Sequence, residues 1–372
     1  MYTVFKEEKV KKFSKSILII SLLIFLAHIN PYLDACTTFC LKYGKNLVFG
    51  RNYDWNIDYG FVMVNKRSLV KRAFNFFDPS ARPAEWISKY GSITFNQYGK
   101  EYPMGGMNEA GLVVEVMWLD STRFPASDER PALGELPWVQ YQLDNFSSVK
   151  EVIDSDKSIR IVTNSQPIHF LVTDKTGQTA TIEFLNGKMV CHTGKTLPFK
   201  ALTNNTYDDS IKYLNDHKGF GGDNEISSSE ESLDRFVRTA NMLKNYKKAK
   251  KKDIVDYAFS VLGSAKQQKG TQWSIVYDIK NMMVHFKTKR APEIKVFKFK
   301  DFDFSCPTPS KVINMHTEKI GDIGSHFVEY STAINRELIG ASFRGTEFLK
   351  HIPEEALDQL ARYPESIVCQ KK

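Results

Sequence analysis

Residues 34–55 read DACTTFCLKYGKNLVFGRNYDW, and the rest of the chain is interpreted outward from this stretch. A strand-forming run follows Cys36, residues 43–46 (YGKN) are typical of a turn, and a second apolar run leads back to Arg51. The pattern predicts a β-hairpin. Its second strand would return Arg51 and Asp54 to the neighbourhood of Cys36.

Residues 1–35 have the composition of a secretory signal peptide. Five lysines lie within the first 16 residues, an apolar run follows at residues 17–29, and the small residue Ala35 precedes Cys36. The apolar run is shorter than the roughly 20 residues that a membrane span needs. We therefore expect cleavage before Cys36, export to the periplasm or the medium, and no stable membrane insertion after the leader is removed.

Two other fates of this leader stay open at the level of sequence. It could remain attached as a signal anchor, although its apolar run is short for that purpose. The segment Leu33-Asp34-Ala35-Cys36 also resembles a lipoprotein box, which would place an acylated cysteine at position 36. Asp34 is a poor residue in such a box, and the apolar run ends several residues too early. Simple cleavage is therefore the favoured interpretation.

Cleavage before Cys36 would create an N-terminal cysteine, which carries a nucleophile and a base on the same residue. A free α-amino group has an ordinary pKa of about 7.7–8.0 and can accept the thiol proton, directly or through one water. Such a site needs no histidine. In this arrangement Arg51 would favour the thiolate and Asp54 would hold the amine in place.

Net charge does not indicate a nucleic-acid partner. The chain has a formal charge of +8, and removal of residues 1–35, with five lysines and three acidic residues, would leave +6. Much of this charge lies in a lysine-rich run at residues 244–252, which is typical of a solvated helix end. Tyr246 is the only aromatic residue among these lysines and no nucleic-acid-binding motif accompanies them, so we expect no binding of nucleic acid.

The cysteines and histidines do not form a recognisable metal motif. No C-x-x-C pair occurs and the histidines are scattered, so we expect neither a metal nor another cofactor. Apart from Cys36, four cysteines remain, and export would permit disulfides among them without deciding which of three pairings forms. These four are Cys40, Cys191, Cys306 and Cys369.

Apolar periodicity predicts a chain that mixes many short strands with later helices. Strands are expected at residues 61–65, 92–96, 111–119, 168–173, 179–184, 188–192, 271–278 and 282–287. Helices are expected at residues 135–144, 149–155, from near 230, at 253–262 and around 354–361. This mixture indicates an α+β or sandwich class. We expect one domain at residues 36–306, followed by an extension of unknown role, residues 307–372, packed on its outside.

Five motifs in order resemble one known family. They are C-T-T-F with G-R-N-Y-D-W in the hairpin, G-M-N-E-A-G-L at 106–112, L-T-N-N-T at 202–206, R-F-V-R at 235–238 and W-S-I-V-Y-D at 273–278. This order resembles the choloylglycine hydrolase family, the N-terminal-cysteine amidases that include conjugated bile salt hydrolases and penicillin V acylases. The resemblance implies a four-layer αββα sandwich of the N-terminal nucleophile hydrolases. It also implies hydrolysis of a linear, non-peptide amide bond.

The resemblance further implies a set of catalytic residues. Cys36 would attack the carbonyl, and Asn204, with Asn205 as the near alternative, would donate a hydrogen bond to the oxyanion. The remaining catalytic positions are Arg51, Asp54 and Arg235, of which the two arginines would stabilise the thiolate. Arg238 lies one helical turn from Arg235 and could share its face.

Trp55 and Trp118 are the expected substrate-binding residues. Trp118 falls near a position where members of the family often carry Asn or Tyr that lines the acyl pocket and helps the oxyanion hole. Tryptophan offers only an indole N–H donor, so a backbone N–H is expected to serve in its place. Without the resemblance, packing of Trp118 in a core strand would be the preferred interpretation.

The substrate is a small acyl amide whose acyl group the sequence does not identify. Conjugated bile salts, penicillin V, acyl-homoserine lactones and other N-acyl amides are all open, and so is a homo-oligomeric state. The alternative function is that of an exported lipoprotein or binding module that retains the fold without amidase activity. An acylated or blocked Cys36 would indicate this alternative.

Overall fold

The structure is a computed structural model and describes residues 36–371 except 77, 79 and 247–252. The predicted signal peptide at residues 1–35 lies outside the described residues, and so do the lysines at 247–252. No helix in the described part of the chain is long and apolar enough to cross a membrane.

The predicted hairpin forms the middle of a large sheet. Across the described residues this first sheet has seven strands, in the order Ala201–Leu202 (β14), Thr37–Tyr43 (β1), Asn46–Asp54 (β2), Thr271–Asp278 (β15), Met283–Thr288 (β16), Lys295–Lys298 (β17) and Gly321–Asp322 (β19). Neighbouring strands are antiparallel except for β17 and β19. The central position of β1 and β2 means that both strands are held on each side.

A second, fully antiparallel sheet lies against the first. In the described ranges it has nine strands, in the order Lys188–Thr193 (β13), Thr179–Leu185 (β12), Ile168–Thr173 (β11), Val113–Trp118 (β8), Pro103–Asn108 (β7), Ser92–Asn96 (β6), Phe61–Asn65 (β3), Lys311–Asn314 (β18) and Val328–Glu329 (β20). Its strands β3, β6 and β11 have the bounds that the sequence predicts.

Apolar side chains from the two sheets interlock in one buried core. Phe95 of the second sheet lies edge-on to Tyr277 and Phe286 of the first, with ring centroids 6.1 and 5.5 Å apart. Successive side chains of a strand point to opposite faces, so Val113 enters this core whereas Val114 faces the other side of its sheet. The second sheet is therefore apolar on both faces.

Helices cover the two outer faces. The helices are Glu135–Asn145 (α1), Val149–Asp154 (α2), Tyr207–Asn215 (α3), Ser232–Asn245 (α4), Ile254–Ser264 (α5), Thr332–Gly345 (α6) and Glu354–Arg362 (α7). Helices α1 and α2 cover the second sheet, where Trp138 packs 4.3 Å from Phe170. Helices α4 and α5 cover the first sheet, where Asn52 of β2 donates to the Leu262 carbonyl at 2.8 Å. The α+β class and the four-layer αββα order are confirmed.

Short strands and 3₁₀ turns lie outside the two large sheets. Leu69–Arg72 (β4), Glu85–Ile87 (β5) and Val368–Cys369 (β21) form a small sheet, and Ala132–Leu133 (β9) pairs with Arg160–Ile161 (β10). Single 3₁₀ turns occur at Ser155–Lys157, Gly194–Thr196, Phe299–Asp301, Gly324–His326 and Tyr363–Ser366. The sequence analysis predicted none of these short strands.

The predicted boundary after residue 306 does not separate two bodies. Strand β18 lies beyond it and pairs with β3 inside the second sheet, so the extension supplies part of that sheet as well as outer helices. Cys306 and Cys369 form a disulfide that ties the end of the chain back to the start of the extension, with Cα atoms 5.7 Å apart. Cys36, Cys40 and Cys191 are free.

Candidate active site

The hairpin brings Cys36, Arg51 and Asp54 together, as its sequence predicts. Cys36 lies directly before β1, and the register of β1 and β2 places Thr38 opposite Arg51. The Cys36 Sγ lies 3.7 Å from Arg51 Nη2 and 3.9 Å from the Asp54 carbonyl oxygen. The thiol is buried, with 6 % of the residue exposed. The thiol therefore lies beside the Arg51 guanidinium and the Asp54 backbone in one enclosed space, and the Asp54 carboxylate is close enough to raise the pKa of the thiol.

Arg51 is anchored by an ion pair that crosses between the sheets. Its guanidinium pairs with the buried Glu115 of β8 and also donates to the Met104 carbonyl at 2.9 Å. Glu115 in turn accepts from the Tyr277 hydroxyl at 2.5 Å. Burial disfavours the charged guanidinium, but Glu115, Cys36 and Tyr53 together outweigh this cost and hold the pKa of Arg51 above its ordinary value. Arg51 is thus charged and held in one position.

Glu115 was not predicted as a site residue, although the sequence around it indicates a buried charge. Glu115 is the one charged residue in the apolar strand V-V-E-V-M-W, and a charged side chain in a buried strand needs a partner. Gly105 on the neighbouring strand β7 lacks a side chain, and a Cβ there would collide with the Glu115 carboxylate. Gly105 therefore leaves the space that the ion pair occupies.

Arg235 approaches Cys36 from the opposite side. It lies one turn into α4 and is fully buried. Its Nη1 donates to the Cys36 carbonyl at 2.7 Å and to the Thr37 hydroxyl at 2.6 Å. Arg238, the alternative, instead donates to the Ser264 and Ser227 carbonyls at 2.8 and 2.7 Å. Of the two arginines, the structure brings Arg235 to Cys36.

Asn204 is held in a defined orientation beside Arg235. Its Oδ1 accepts from Arg235 Nη2 at 3.0 Å, and its Nδ2 donates to the Trp118 carbonyl at 3.0 Å. Its backbone N–H donates to the Ser232 hydroxyl at 2.9 Å. An amide nitrogen carries two N–H bonds, so one donor of Asn204 remains for a ligand. These contacts favour Asn204 over Asn205 as the amide donor.

A buried histidine supports the segment that carries Asn204. His169 lies on β11, with Nε2 at 2.7 Å from the Thr203 carbonyl and Nδ1 at 3.2 Å from Glu183. Glu183 also accepts from the Tyr207 backbone N–H at 3.0 Å, at the start of α3. These bonds hold residues 203–207 against the second sheet, so they position Asn204 from both sides.

Asp54 is buried and only partly satisfied. Its Oδ1 accepts from the Thr271 hydroxyl, whereas its Oδ2 has no hydrogen-bond partner among the described residues. Burial raises the pKa of Asp54 to about 7, against the opposing effects of Arg235, Thr271 and Arg51. A buried carboxylate oxygen without a donor favours the approach of a positively charged group.

The thiol of Cys36 is not activated by its surroundings in the chain that retains residue 35. Burial raises the pKa of Cys36 to about 11, and the neighbouring Arg51 and Arg235 only partly offset that effect. The negative charge of Asp54 acts in the same direction as burial. At neutral pH this thiol is protonated, so a further base is required before it can act as a nucleophile.

Trp55 and Trp118 lie next to each other at one edge of this site. Their ring centroids are 6.0 Å apart, with the planes tilted by 40°. The Trp118 indole donates to Asp120 at 2.7 Å, so its N–H is engaged away from the Asn204 amide. The Trp55 indole donates to the Tyr98 hydroxyl at 2.8 Å. The two rings present flat apolar surface beside the carbonyl to which Asn204 is bound.

Within the described residues, no group of three or more His, Cys, Asp or Glu side chains could hold a metal ion.

Comparison with known proteins gives consistent matches. The sequence profile of the linear amide C–N hydrolases of the choloylglycine hydrolase family matches residues 36–311. A penicillin V acylase of Pectobacterium atrosepticum is 28% identical over 262 residues, which are 59% of this chain and 69% of that protein.

Solved structures show the same fold. The penicillin V acylase from Agrobacterium tumefaciens is 25% identical, with a TM-score of 0.69, and the match covers 80% of this chain and 98% of that one. A mutant conjugated bile acid hydrolase from Clostridium perfringens has a TM-score of 0.62 at 18% identity, covering 77% of this chain and 98% of that one. This second likeness concerns the fold alone.

Proposed function

Because the chain belongs to the choloylglycine hydrolase family of linear amide C–N hydrolases, we propose that it cleaves acyl amides with Cys36 as an N-terminal nucleophile. The proposal requires removal of residues 1–35. The observation that carries it is the open Oδ2 of Asp54 beside a buried thiol that two guanidiniums approach. A free α-ammonium group on Cys36 would supply the donor that this oxygen lacks.

The α-amino group also supplies the base that the thiol needs. Burial keeps the pKa of the thiol near 11 in the chain that retains residue 35. A free amine on the same residue has an ordinary pKa of about 7.7–8.0 and can accept the proton at neutral pH. Arg51 and Arg235 then favour the resulting thiolate. Asp54 orients the amine, which explains why a carboxylate is retained in so enclosed a place.

In the first half of the reaction, the Cys36 sulfur forms a bond to the amide carbonyl carbon while its proton passes to the α-amine. The carbonyl oxygen becomes an oxyanion, which accepts the remaining N–H of Asn204 and a backbone N–H. One such donor contributes about 2.7–4 kcal/mol of transition-state stabilisation. The C–N bond then breaks, the α-ammonium returns the proton to the leaving nitrogen, and a thioester remains.

In the second half, water replaces the departed amine. The α-amine takes a proton from this water as the oxygen attacks the thioester carbon, and Asn204 again stabilises the oxyanion. The C–S bond breaks, the sulfur regains the proton, and a carboxylic acid leaves. The amine acts as base and then as acid in each half, so the cycle returns Cys36 to its starting state.

For the substrate, we propose an amide whose acyl part carries a flat or ring-shaped group. The tilted pair of Trp55 and Trp118 offers aromatic surface that suits such a group. The similarity to two penicillin V acylases supports the same class. Conjugated bile salts and linear N-acyl amides belong in the same test panel.

Export of the protein is part of the proposal. The Cys306–Cys369 disulfide supports it, because disulfides persist chiefly in oxidising compartments such as the periplasm or the extracellular medium. Export would also bring the chain to the peptidase that removes a signal peptide. Localisation and activity are therefore linked through the same cleavage before Cys36.

The first test is the intact mass and N-terminal sequence of the exported protein. We expect a chain that begins with unmodified Cys36 and hydrolyses at least one member of an acyl-amide panel. Lipid on Cys36, or a retained leader in an active protein, would contradict the proposed mechanism. A lipidated and inactive protein would favour the binding module instead.

Variants then test the role of the cysteine. Cys36→Ala should abolish hydrolysis with little change in the melting temperature, and a chain that keeps Ala35 before Cys36 should be equally inactive because its amine is blocked. The matched control is Cys191→Ala, which removes another free thiol outside the site. Turnover by the Ala35-retaining chain at the rate of the cleaved chain would show that the α-amine is not the base.

A further inference from the structure

A chain of hydrogen bonds runs from the aromatic pair into the C-terminal extension. The Trp55 indole donates to the Tyr98 hydroxyl at 2.8 Å, and the Tyr98 hydroxyl lies 3.0 Å from the Thr346 hydroxyl. The Thr346 hydroxyl donates to the Ser342 carbonyl at 2.9 Å. Thr346 and Ser342 are buried. The three bonds connect a side chain of the site to the end of α6.

The direction of each bond follows from the donors present. An indole nitrogen can only donate, so the Tyr98 oxygen accepts from Trp55. Since the Thr346 proton is used on the Ser342 carbonyl, the Tyr98 proton must point to Thr346. Every donor has one acceptor, and no alternative arrangement of protons satisfies all three bonds. The indole N–H of Trp55 is therefore fixed in direction by a chain that ends on a helix carbonyl.

Packing holds the helix end in place around these bonds. The Phe343 ring lies edge-on to Tyr98 with centroids 5.9 Å apart. A Cβ at Gly345 would meet Ile57 Cγ2 at 2.8 Å, so the end of α6 lies closely against the segment that follows Trp55. Strand β21 and the Cys306–Cys369 disulfide fasten the rest of the extension.

Thr346 lies in the C-terminal extension, whereas Trp55 lies in the hairpin of the active site. The family match ends at residue 311, so Thr346 belongs to a part of the chain that lies past the matched region. Trp55, in contrast, lies inside the matched hairpin. A residue of the extension therefore reaches, through Tyr98, one of the two rings that flank the site.

We propose that the extension sets the acyl preference of the site, with Tyr98 and Thr346 as positioning residues that hold the Trp55 ring against Trp118. The inference rests on the proposed function, in which this aromatic pair lines the acyl pocket. With the indole tied, the two rings keep their 6.0 Å spacing and their tilt of 40°. With the tie removed, the indole can rotate to donate elsewhere, and the flat surface is lost.

The test compares Thr346→Val with Thr332→Val in the chain that begins at Cys36. Both variants lose one threonine hydroxyl of the extension, but Thr332 lies at the other end of α6 and donates to Glu365. For Thr346→Val we expect KM for a phenoxyacetyl amide to rise about three- to tenfold, the loss that one hydrogen bond produces. We expect kcat, and both constants for an acetyl amide, to stay within about twofold of the unaltered enzyme.

Two further variants sharpen the result. Tyr98→Phe removes the acceptor of the indole N–H and should raise KM as Thr346→Val does. Thr346→Ser keeps the hydroxyl, so its KM should equal that of the unaltered enzyme. Equal losses for aryl and acetyl substrates, or an unchanged KM in both Thr346→Val and Tyr98→Phe, would overturn the proposal. The melting temperature of each variant separates a loss of folded protein from a loss of preference.

Fluorescence provides a readout that does not depend on turnover. The emission of Trp55 is obtained as the difference between spectra of the unaltered chain and Trp55→Phe. We expect the Trp55 emission, obtained in each variant by the same subtraction with Trp55→Phe, to shift in Thr346→Val and not in Thr332→Val. If no amide is cleaved by the unaltered enzyme, the proposed function fails, and the emission still decides whether Thr346 positions Trp55. An unshifted emission would overturn the positioning role in either case.

Discussion

The two sides of Cys36 hold buried guanidiniums in different ways. On the β2 side, Arg51 forms an ion pair with Glu115, which Tyr277 also supports. On the α4 side, Arg235 donates to the carbonyl oxygens of Cys36 and Glu230, the Thr37 hydroxyl and the Asn204 amide oxygen. These acceptors are neutral, and no carboxylate forms a salt bridge with Arg235 in the described part of the chain.

This difference changes the electrostatic role of each arginine. Burial disfavours the charge of both, but Arg51 has a paired carboxylate that, together with Cys36 and Tyr53, offsets the cost, so its pKa lies above the ordinary value. The pKa of Arg235 lies below its ordinary value because burial outweighs the attraction of Asp54 and Cys36. Glu115 thus compensates much of the charge of Arg51, although Arg51 still lowers the pKa of the Cys36 thiol more than Arg235 does, whereas the hydrogen bonds of Arg235 go to neutral acceptors. We therefore expect loss of Glu115 to act mainly on stability and loss of the Asn204 amide to act mainly on rate.

The largest effect is expected from Glu115→Gln, which breaks the ion pair on the β2 side. Removing one partner of a buried pair leaves the other charge uncompensated and costs about 3–5 kcal/mol. We expect a loss of this size in the free energy of unfolding, measured by urea denaturation. Tyr277→Phe is the matched control, because it removes only one hydrogen bond to a charged group and should cost about 1.5–3 kcal/mol. A stable Glu115→Gln protein with a collapsed kcat would reverse the assignment of the two sides.

The next effect concerns the α4 side, where Asn204→Ala removes the amide that faces Arg235. Loss of one oxyanion donor lowers kcat about 10²- to 10³-fold. We expect this loss of rate with only a small change in the urea midpoint, measured with the best substrate of the panel. The control is Asn205→Ala, which should leave kcat nearly unchanged. If Asn205→Ala gives the larger loss, the neighbouring asparagine is the donor.

The smallest effect is a pH dependence that arises from Asp54, which lies between the two sides. In the chain that retains Ala35, burial raises the pKa of Asp54 from 3.8 to about 7. The folded state then binds the proton more tightly than the unfolded state. Between these two pKa values the free energy of unfolding falls by about 1.4 kcal/mol per pH unit as pH rises. Below both values Asp54 is protonated in the folded and the unfolded state, so this loss of stability is absent.

The measurement compares this chain with its Asp54→Asn variant, both retaining Ala35. From pH 5 to pH 6.5 the unaltered chain should lose about 2 kcal/mol of stability relative to the variant. In the chain that begins at Cys36, the α-ammonium should lower the pKa of Asp54 and reduce this difference. An identical pH dependence in the two forms would show that the ammonium does not reach the Asp54 carboxylate.

The elements that the sequence predicts well are those with a long local pattern. Strands β3, β6 and β15 coincide with their predicted ranges, and α2 begins at Val149 as predicted, with Ser148 as the N-cap that forms a capping box with Glu151. The strand predicted at 111–119 begins only at Val113. Asn108 explains the difference, because its side chain accepts from the Ala110 and Leu112 backbone N–H groups and closes a turn.

Most of the strands that were missed are short or lie at edges. The exception is β7, which lies between β6 and β8 and whose residues, PMGGMN, show no clear alternation of apolar and polar side chains. Two-residue strands such as β14 and β21 contain too few residues to show an alternating pattern, and only pairing with a distant strand defines them. The same reason applies to the disulfide. Cysteine spacing left three pairings open, and the approach of β21 to residue 306 decided that Cys306 joins Cys369.

The sequence by itself determined the family, the αββα fold and the grouping of Cys36 with Arg51 and Asp54. That grouping follows from a hairpin, because the antiparallel pairing of β1 with β2 brings Arg51 and Asp54 back to Cys36. Tertiary structure alone decided the Arg51–Glu115 pair, the approach of Arg235 to Asn204, and the contact of Thr346 with Tyr98. These contacts join elements that are far apart in sequence. They exist because packing the sheets and helices excludes water, and each buried charge and donor must then find its partner across the core.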